Sequence, residues 1–250
     1  SAFLNLVSID LYFTWNLPTK IDLKKKYKKS KIFTLGCLRY DLFHNKFSKF
    51  IKPKSMLMSK YNLNPNLKTV LWTTKFGYAD IYDRPKEIQN KFFKELVNNK
   101  VASCYDEVGI NWKKIHENQN KTRIIHADLV FKLIKSMPKV NFLIKPHPTE
   151  NKHFYTQRIK KLDIKNCHIC KEEFIFDILQ TSDLLIQQKC TTALEGWLLN
   201  IPVIDLSISK YKQFDWPEFT KGNECVSTFP KLYSKVSQLL FNKYKPSKEK

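Results

Sequence analysis

Short apolar runs alternate with amphipathic stretches from about residue 69 onward, and this alternation constrains the fold more than any other feature. Each run has the length of a buried strand, and the stretches between them repeat apolar residues at helical spacing. This alternation is typical of an α/β domain whose parallel sheet is flanked by helices. The predicted strands are Thr69–Thr74, Val140–Lys145, Asn166–Cys170, Asp183–Gln187, Pro202–Leu206 and Glu224–Thr228.

Amphipathic segments predict the helices between these strands. In Pro85–Asn98 the side chains of Ile88 and Phe92 share one apolar face, and in Thr122–Met137 Ile125 begins a similar face. We therefore expect these side chains to point toward the sheet. Further helices are predicted at Lys152–Lys161, Glu172–Gln180, Thr191–Asn200 and Lys231–Phe241.

The first 68 residues fit this pattern less well, and we interpret residues 1–68 as the remnant of an N-terminal domain with an interdomain connection. Residues 69–242 form the α/β domain, and residues 243–250 form a basic tail. The chain starts on strand-like residues without an initiator Met, so we expect its natural N-terminal part to be missing. Apolar side chains such as Leu11 and Phe13 should then remain exposed.

Composition excludes several classes of protein. Hydrophobic residues make up 42% of the chain, which is enough for a core and argues against a disordered chain. No run approaches the roughly 18 apolar residues of a membrane-spanning helix, and the opening lacks the features of a signal peptide. Six Cys without framework spacing indicate a reduced, intracellular protein, so we expect it to be cytoplasmic.

The net charge of +21 is compatible with a polyanionic partner such as nucleic acid or an anionic membrane surface. Only four of the 44 basic residues are Arg, whose planar fork suits the recognition of phosphate and guanine. The abundant Lys, Asn and Ile share A/T-rich codons, so a biased genome would produce the same charge. No nucleic-acid-binding motif is present, and we do not expect nucleic acid as a partner. Peripheral binding at the anionic inner face of the cell membrane stays an expectation.

The first of three candidate ligand loops follows the first strand of the α/β domain. It carries two hydroxyls, Thr73 and Thr74, followed by Gly77. Parallel sheets bind their ligands at the carboxyl ends of strands, and a glycine lets backbone N–H groups come close to a ligand. The alternative is an ordinary exit from a strand.

The second loop is Lys145, Pro146, His147 and Pro148, which closes the next apolar run. The two prolines restrict the backbone and hold the imidazole at the edge of the sheet. A rigid His beside a Lys suits hydrogen bonding to a phosphate or general acid chemistry. The alternative is a turn histidine with a packing role.

The third loop contains Cys190, Thr191 and Thr192, and these residues open a helix that contains Glu195. Backbone N–H groups at a helix start, together with the Thr hydroxyls, form a candidate phosphate site. Glu195 follows one helical turn later, where its carboxylate can accept from sugar hydroxyls. The alternative is a capping box, in which Thr192 and Glu195 satisfy the helix end without a ligand.

Taken together in order and spacing, these loops resemble the C-terminal half of bacterial surface-carbohydrate biosynthesis proteins. That group is similar to the capsule Kdo transferases and other glycosyltransferases of the two-domain GT-B fold. The resemblance covers nearly the whole chain but only part of the family's length. The segments that carry it are Thr73–Gly77, Lys145–Pro148, Ser182–Ile186, Cys190–Glu195, Leu198–Ile204, Tyr12–Trp15 and the residues Gly36, Arg39, Tyr40 and Asp41. Cys37 and Leu38 stand where the family has Asn-Pro.

The resemblance implies that residues 69–242 form a Rossmann-like domain that binds a nucleotide-sugar donor. His147 with Thr191 or Thr192 would then hold the donor phosphate, with His147 as an acid or as the group that stabilises the leaving phosphate. The donor site would further include Thr73, Thr74, Gly77, Lys145, Pro148, Cys190 and Glu195. A His-Pro pair with a Ser/Thr pair is also similar to transferases that use CMP-linked donors and to the CDP-glycerol polymerases of teichoic-acid synthesis.

The implied reaction transfers a sugar to a glycan or lipid-linked glycan acceptor, without a cofactor or a metal ion. Three alternatives stay open: a CDP-glycerol glycerophosphotransferase-like enzyme, a sugar-nucleotide epimerase of the same fold, and a non-enzymatic basic module that binds polyanions. Three lesser groups have simpler interpretations as structural thiols, solvated loop charges and a core lid. Cys167 and Cys170 around His168 are interpreted as structural thiols, and Asp106 with Glu107 as solvated loop charges. The aromatic residues Phe214, Trp216 and Phe219 are interpreted as a core lid.

Overall fold

The structure is a computed structural model that describes residues 10–41, 43, 52–98, 112–170, 172–208 and 222–241. The chain divides into two units, residues 1–50 and 51–250. Within the described ranges, no helix combines the length and the apolar character needed to cross a membrane. The sequence-predicted features that lie outside the described residues are Asp106, Glu107, Phe214, Trp216, Phe219 and the tail 243–250.

The first unit is a strand–helix–strand motif followed by one helical turn. Asn16 caps its first helix, because the Asn16 side chain accepts a hydrogen bond from the N–H of Thr19 at 2.9 Å. None of the ten residues of that helix is buried, so it shows no apolar stripe and the sequence does not predict it. The elements are β1 (Leu11–Thr14), α1 (Leu17–Lys26), β2 (Lys31–Thr34) and α2 (Leu38–Asp41).

Apolar side chains of this first unit are exposed, as predicted. β1 and β2 pair in parallel, and Phe13 lies opposite Phe33 with ring centroids 6.2 Å apart. Their exposed fractions are 59% and 48%, and Leu11 is 45% exposed. Parallel strands are normally covered on both faces, so the exposure of these described side chains departs from the usual arrangement.

The second unit, residues 51–250, contains the predicted parallel sheet and its helices. Its elements are α3 (Lys54–Lys60), β3 (Thr69–Thr73), a 3₁₀ helix (Gly77–Asp83), α4 (Lys86–Asn98), α5 (Trp112–Ser136), β4 (Asn141–Lys145), α6 (His153–Lys161), β5 (Cys167–Ile169), α7 (Ile175–Gln180), β6 (Leu184–Gln187), α8 (Thr192–Leu198), β7 (Val203–Leu206), β8 (Glu224–Val226) and α9 (Phe229–Phe241). Each predicted strand is present, with ends that differ by no more than two residues. The predicted fold class, a Rossmann-like α/β sheet, is therefore confirmed.

The six strands are parallel and follow the order β5-β4-β3-β6-β7-β8. This is the doubly wound order of a Rossmann fold, in which the chain runs outward from the centre in both directions. The order reverses between β3 and β6. A crevice for ligands opens at the carboxyl ends of these two strands.

The core lies on both faces of the sheet because successive strand residues point to opposite sides. On one face, Trp72 and Ile144 pack with side chains of α5 and α9. On the other face, Leu71 and Leu143 pack with side chains of α3, α7 and α8. Burial on both faces explains why these strands read as continuous apolar runs.

Ile88 and Ile125 do not lie on the buried faces predicted for their helices, although Leu133, Ile134 and Met137 of the second predicted face are buried. Ile88 and Ile125 are 49% and 45% exposed, and the inward positions nearby belong to polar residues. On α4 the buried Gln89 donates to the carbonyl of Arg84 at 2.7 Å. On α5 the buried residues include Arg123 and His126. Apolar periodicity does not identify these inward positions, because the residues that occupy them are polar.

In the second unit, α5 is longer than predicted and α3 is not predicted. α5 begins at Trp112, ten residues before the predicted start at Thr122. Its first turns are mostly polar, although Ile115 is buried. α3 has no predicted counterpart because it is short and follows a Lys-rich segment. Leu57 and Met58 nevertheless bury their side chains in the core.

Candidate functional site

The switch point brings together two of the predicted site residues. Thr73 is the last residue of β3, and Thr192 is the first residue of α8. Their hydroxyl oxygens lie 3.2 Å apart, and either can donate the hydrogen bond. The first and third predicted loops therefore meet at the carboxyl edge of the sheet, in the crevice between β3 and β6.

A buried network around Asp205 shapes the turn after β6. The Gln187 side-chain amide and the backbone N–H of Lys189 both donate to Asp205 Oδ2 at 2.9 Å. The N–H of Cys190 donates to Gln187 Oε1 at 2.6 Å. Lys189 has a φ of 42°, a left-handed conformation that is uncommon for this residue type. Burial raises the pKa of Asp205, and these hydrogen bonds partly offset the effect.

A second buried carboxylate, Glu150, joins the loops after β3 and β4. Glu150 Oε1 accepts from the N–H of Phe76 at 2.6 Å and from the N–H of His147 at 3.3 Å. The Thr74 hydroxyl donates to both carboxylate oxygens at 2.8 Å, and the Tyr155 hydroxyl donates to Oε2 at 2.6 Å. Thr74 is predicted to bind the nucleotide-sugar donor, but its hydroxyl proton is engaged in the hydrogen bond to Glu150. Burial raises the pKa of Glu150.

His147 is exposed at the carboxyl end of β4, next to buried Pro146. Its Nδ1 atom lies 2.7 Å from the Thr149 hydroxyl and 3.3 Å from the Thr149 backbone nitrogen. Partial burial lowers the pKa of His147, which favours the neutral imidazole at neutral pH. Pro148 is exposed within the same turn.

Gly77 lies close to the side chain of Thr149 in the second loop. A β-carbon placed on Gly77 would lie 2.3 Å from the Thr149 hydroxyl and 3.3 Å from Thr149 Cβ. A larger residue at position 77 would therefore displace the Thr149 side chain in the loop that carries His147. The predicted role of Gly77, which is to let backbone N–H groups approach a ligand, stays a prediction.

Two lysines contribute positive charge to the same edge. Lys75 Nζ donates to the backbone carbonyl of Lys189 at 3.1 Å and so links the first and third loops. Lys145 is the last residue of β4, where it pairs in register with Thr73. Partial burial lowers the pKa of Lys145.

The remaining predicted residues lie at the start of α8. Thr191 precedes this seven-residue helix, and its side chain makes no capping hydrogen bond. Cys190 and Thr192 are half-buried, whereas Glu195 is only 1% exposed. The Thr192 hydroxyl bonds to the Thr73 hydroxyl at the end of β3.

The gathered groups are mainly hydrogen-bond donors and cations. The side chains of Lys75, Lys145 and His147 lie at one edge with the Thr73 and Thr192 hydroxyls. Such a set can bind the anionic oxygens of a phosphate. In the described part of the chain, no three His, Cys, Asp or Glu side chains come together as a metal ion would require.

Sequence reasoning missed the two buried carboxylates and their partners. Asp205 interrupts an otherwise apolar strand, and a charged residue inside a predicted buried strand is a signal that could have found it. Glu150 lies in a polar loop, where nothing in the pattern separates it from a solvated acid. Its role depends on partners from three elements, which only the folded chain brings together.

Comparison with known proteins finds no matching protein family and no matching curated protein. Several solved structures share the fold. UDP-GlcNAc 2-epimerase from Methanocaldococcus jannaschii superimposes with a TM-score of 0.51 at 15% identity, covering 94% of this chain and 56% of that one. The wall teichoic acid polymerase TagF gives a TM-score of 0.52 at 14% identity, covering 92% and 48%. MnaA of S. aureus, solved with UDP, gives 0.50 at 14% identity, covering 93% and 51%.

At this level of identity the likeness shows the fold alone. It is the Rossmann-like sheet of one half of a GT-B architecture, as the sequence predicts. The chain spans about half the length of the solved structures it matches. None of these three is a capsule Kdo transferase, and that finer resemblance stays a prediction.

Proposed function

We propose that this chain is the nucleotide-sugar-binding half of a GT-B glycosyltransferase of surface polysaccharide biosynthesis. The observation that carries the proposal is the meeting of Thr73 and Thr192 at the switch point, 3.2 Å apart. Parallel α/β sheets bind nucleotides at this position, and the surrounding groups suit an anionic ligand. The fold likeness to proteins named for UDP-GlcNAc epimerisation and teichoic acid polymerisation supports a nucleotide-linked substrate.

In the proposed reaction, hydrogen-bond donors and cations at the edge stabilise the departing nucleotide phosphate. Charge develops on that phosphate as the bond to the sugar breaks, and fixed donors stabilise it without rearrangement. His147 and the Thr191–Thr192 pair would contact the phosphate, and Lys75 and Lys145 would add to the positive field. The sugar passes to a hydroxyl oxygen of a glycan or lipid-linked glycan acceptor, and the hydroxyl proton passes to a general base, which GT-B architectures normally carry on the other domain. We further propose a cytoplasmic protein that can bind the anionic inner face of the membrane, which suits its charge of +21.

Nucleotide binding tests this proposal. Thermal unfolding of the protein is measured with CMP, CDP, UDP and GDP, and a ligand at 100 times its dissociation constant should stabilise the fold by about 2.7 kcal/mol. His147→Ala and the double change Thr191→Ala with Thr192→Ala should each weaken binding by about ten- to a hundredfold, because each removes a hydrogen bond to a charged group. Combined, they should weaken it less than additively, since they act on one phosphate.

Two controls accompany these variants. Ser136→Ala removes an exposed hydroxyl at the end of α5, at the opposite edge of the sheet, and should bind as the parent does. Circular dichroism of the Thr variants checks that α8 still forms. If correctly folded His147→Ala and double-Thr proteins bind every nucleotide as the parent does, the donor site lies elsewhere.

The likeness to UDP-GlcNAc 2-epimerases also supports a second candidate, a sugar-nucleotide epimerase. An epimerase changes the sugar nucleotide when no acceptor is present, whereas a transferase needs the acceptor hydroxyl. Product analysis with the donor alone separates the two. A non-enzymatic polyanion-binding module would instead bind any polyanion in a strongly salt-dependent manner without preferring a nucleotide.

A further inference from the structure

The turn that carries His147 restricts the imidazole to one tautomer. The backbone N–H of Thr149 lies 3.3 Å from Nδ1, and an N–H group can only donate. Nδ1 must therefore be the acceptor, and the Thr149 hydroxyl, 2.7 Å away, is placed to donate to the same atom. A neutral imidazole with an accepting Nδ1 carries its proton on Nε2. Nε2 then faces away from Thr149 as a hydrogen-bond donor.

Glu150 fixes the backbone of the same turn. It accepts the N–H of His147, and it also accepts hydrogen bonds from Thr74, Phe76 and Tyr155. Its side chain is 6% exposed, so these bonds act where water does not compete. The carboxylate therefore holds the His147 turn against the end of β3 and the start of α6.

Gly77 supplies the space that this arrangement needs. Any larger residue would place its β-carbon 2.3 Å from the Thr149 hydroxyl. The hydroxyl would then have to rotate away, and its contact with His147 Nδ1 would be lost.

We propose that Thr149 and Glu150 are positioning residues that present the Nε2–H of His147 as a hydrogen-bond donor to an anionic oxygen of the ligand. The identity of that oxygen as a nucleotide phosphate rests on the proposed function. The orientation of the imidazole does not rest on the proposed function, because Thr149 and Glu150 establish this orientation without a ligand.

The first test needs no ligand. Two-dimensional ¹⁵N–¹H spectra of the histidine rings distinguish a protonated ring nitrogen from an unprotonated one, and the signals that disappear in His147→Gln belong to His147. At a pH where the ring is neutral, we expect Nε2 protonated and Nδ1 unprotonated. Thr149→Ala and Gly77→Ala should move His147 toward a mixture of the two tautomers. A protonated Nδ1 in the parent protein would overturn the proposal.

The second test is a double-mutant cycle with the nucleotide that stabilises the parent protein most. Thr149→Ala should weaken its binding by about five- to tenfold in the parent, the effect of one lost hydrogen bond. In the His147→Ala background the same change should have no effect, because Thr149 acts only through the imidazole. Equal losses in both backgrounds would show that Thr149 acts by another route and would contradict the proposal.

Glu150→Gln is compared with Asp183→Asn. Asp183 is also a carboxylate with several partners, Thr69 N–H, Lys54 and Lys68, but it precedes β6 at the opposite edge of the sheet. Both variants should lose stability, and only Glu150→Gln should shift the His147 ring signals. An unchanged His147 spectrum in folded Glu150→Gln would remove Glu150 from the proposal. If the parent binds no nucleotide, the proposed function fails while the spectra still decide the positioning.

Discussion

His126 on α5 is fully buried, and neither of its ring nitrogens has a hydrogen-bond partner among the described residues. Its ring lies edge-on to Phe76 with centroids 5.5 Å apart. Burial, and to a smaller extent nearby Lys75, lowers the pKa of His126 to about 3 from an ordinary value of 6.5. The neutral ring therefore behaves as an apolar side chain in the core.

This residue should make the protein less stable in mild acid. Below pH 6.5 the unfolded chain binds a proton at His126 that the folded chain does not bind until about pH 3. The free energy of unfolding should therefore fall as the pH drops through this window, by up to about 1.4 kcal/mol per pH unit. His126→Leu should flatten the dependence, as measured by urea unfolding across the range.

The comparison is made as the difference between parent and variant, because other groups titrate in the same window. Asp80, whose pKa is raised to about 6 mainly by burial, is one of them, and it contributes equally to both proteins. His153→Leu changes an exposed histidine on α6 and serves as the control. Parallel curves for the parent and His126→Leu would show that His126 does not carry the effect.

At the scale of elements, Arg123 ties α5 to the 3₁₀ helix. Its guanidinium is 1% exposed and bonds to both carboxylate oxygens of Asp83 at 2.6 and 2.8 Å. It also reaches Asp80 at 3.1 Å and lies 3.9 Å from the centroid of the Phe154 ring. Arg158 lies at the same distance from that ring but is only half-buried.

Arg123→Met should therefore cost about 3–5 kcal/mol, because two carboxylates lose the cation that compensates them. Arg158→Met is the matched control and should cost less than about 1 kcal/mol, since its partner Asp128 is 67% exposed and 3.8 Å away. Chemical denaturation of the three proteins measures both values. Equal losses would mean that contact with Phe154, common to both arginines, is the main contribution.

Elements and site differ in how far the sequence predicts them. Strands were predictable because burial on both faces makes them continuous apolar runs, as in Leu71 and Trp72. Helix faces were less predictable, because the inward positions of α5 include Arg123 and His126. The placement of the three loops at one edge of the sheet was predictable, because the carboxyl ends of parallel strands lie at the same edge. The hydrogen bonds of Glu150 were not predictable, because its partners Thr74 and Phe76 are distant in sequence from His147 and Tyr155.

At the scale of the whole molecule, the charge of +21 should make stability depend on salt. With 44 basic and 23 acidic residues, repulsion between like charges exceeds the attraction within exposed ion pairs. Raising the ionic strength from about 0.01 to about 0.1 M shortens the screening length from about 30 to about 10 Å. The midpoint of thermal unfolding should therefore rise with sodium chloride. A falling midpoint would show that ion pairs outweigh the repulsion.

The pairing of β3 with β6 also determines when the protein can fold during synthesis. Val70 of β3 lies beside Leu184 of β6, although more than half of the second unit separates them along the chain. On the ribosome, one edge of β3 therefore stays open until β6 has been translated, even after β4 covers the other edge. Contacts between such distant segments form slowly, and open strand edges promote aggregation. The crevice that we propose as the ligand site therefore forms late in translation, when β6 pairs with β3. Before that point the open edge of β3 makes the nascent chain most dependent on chaperones.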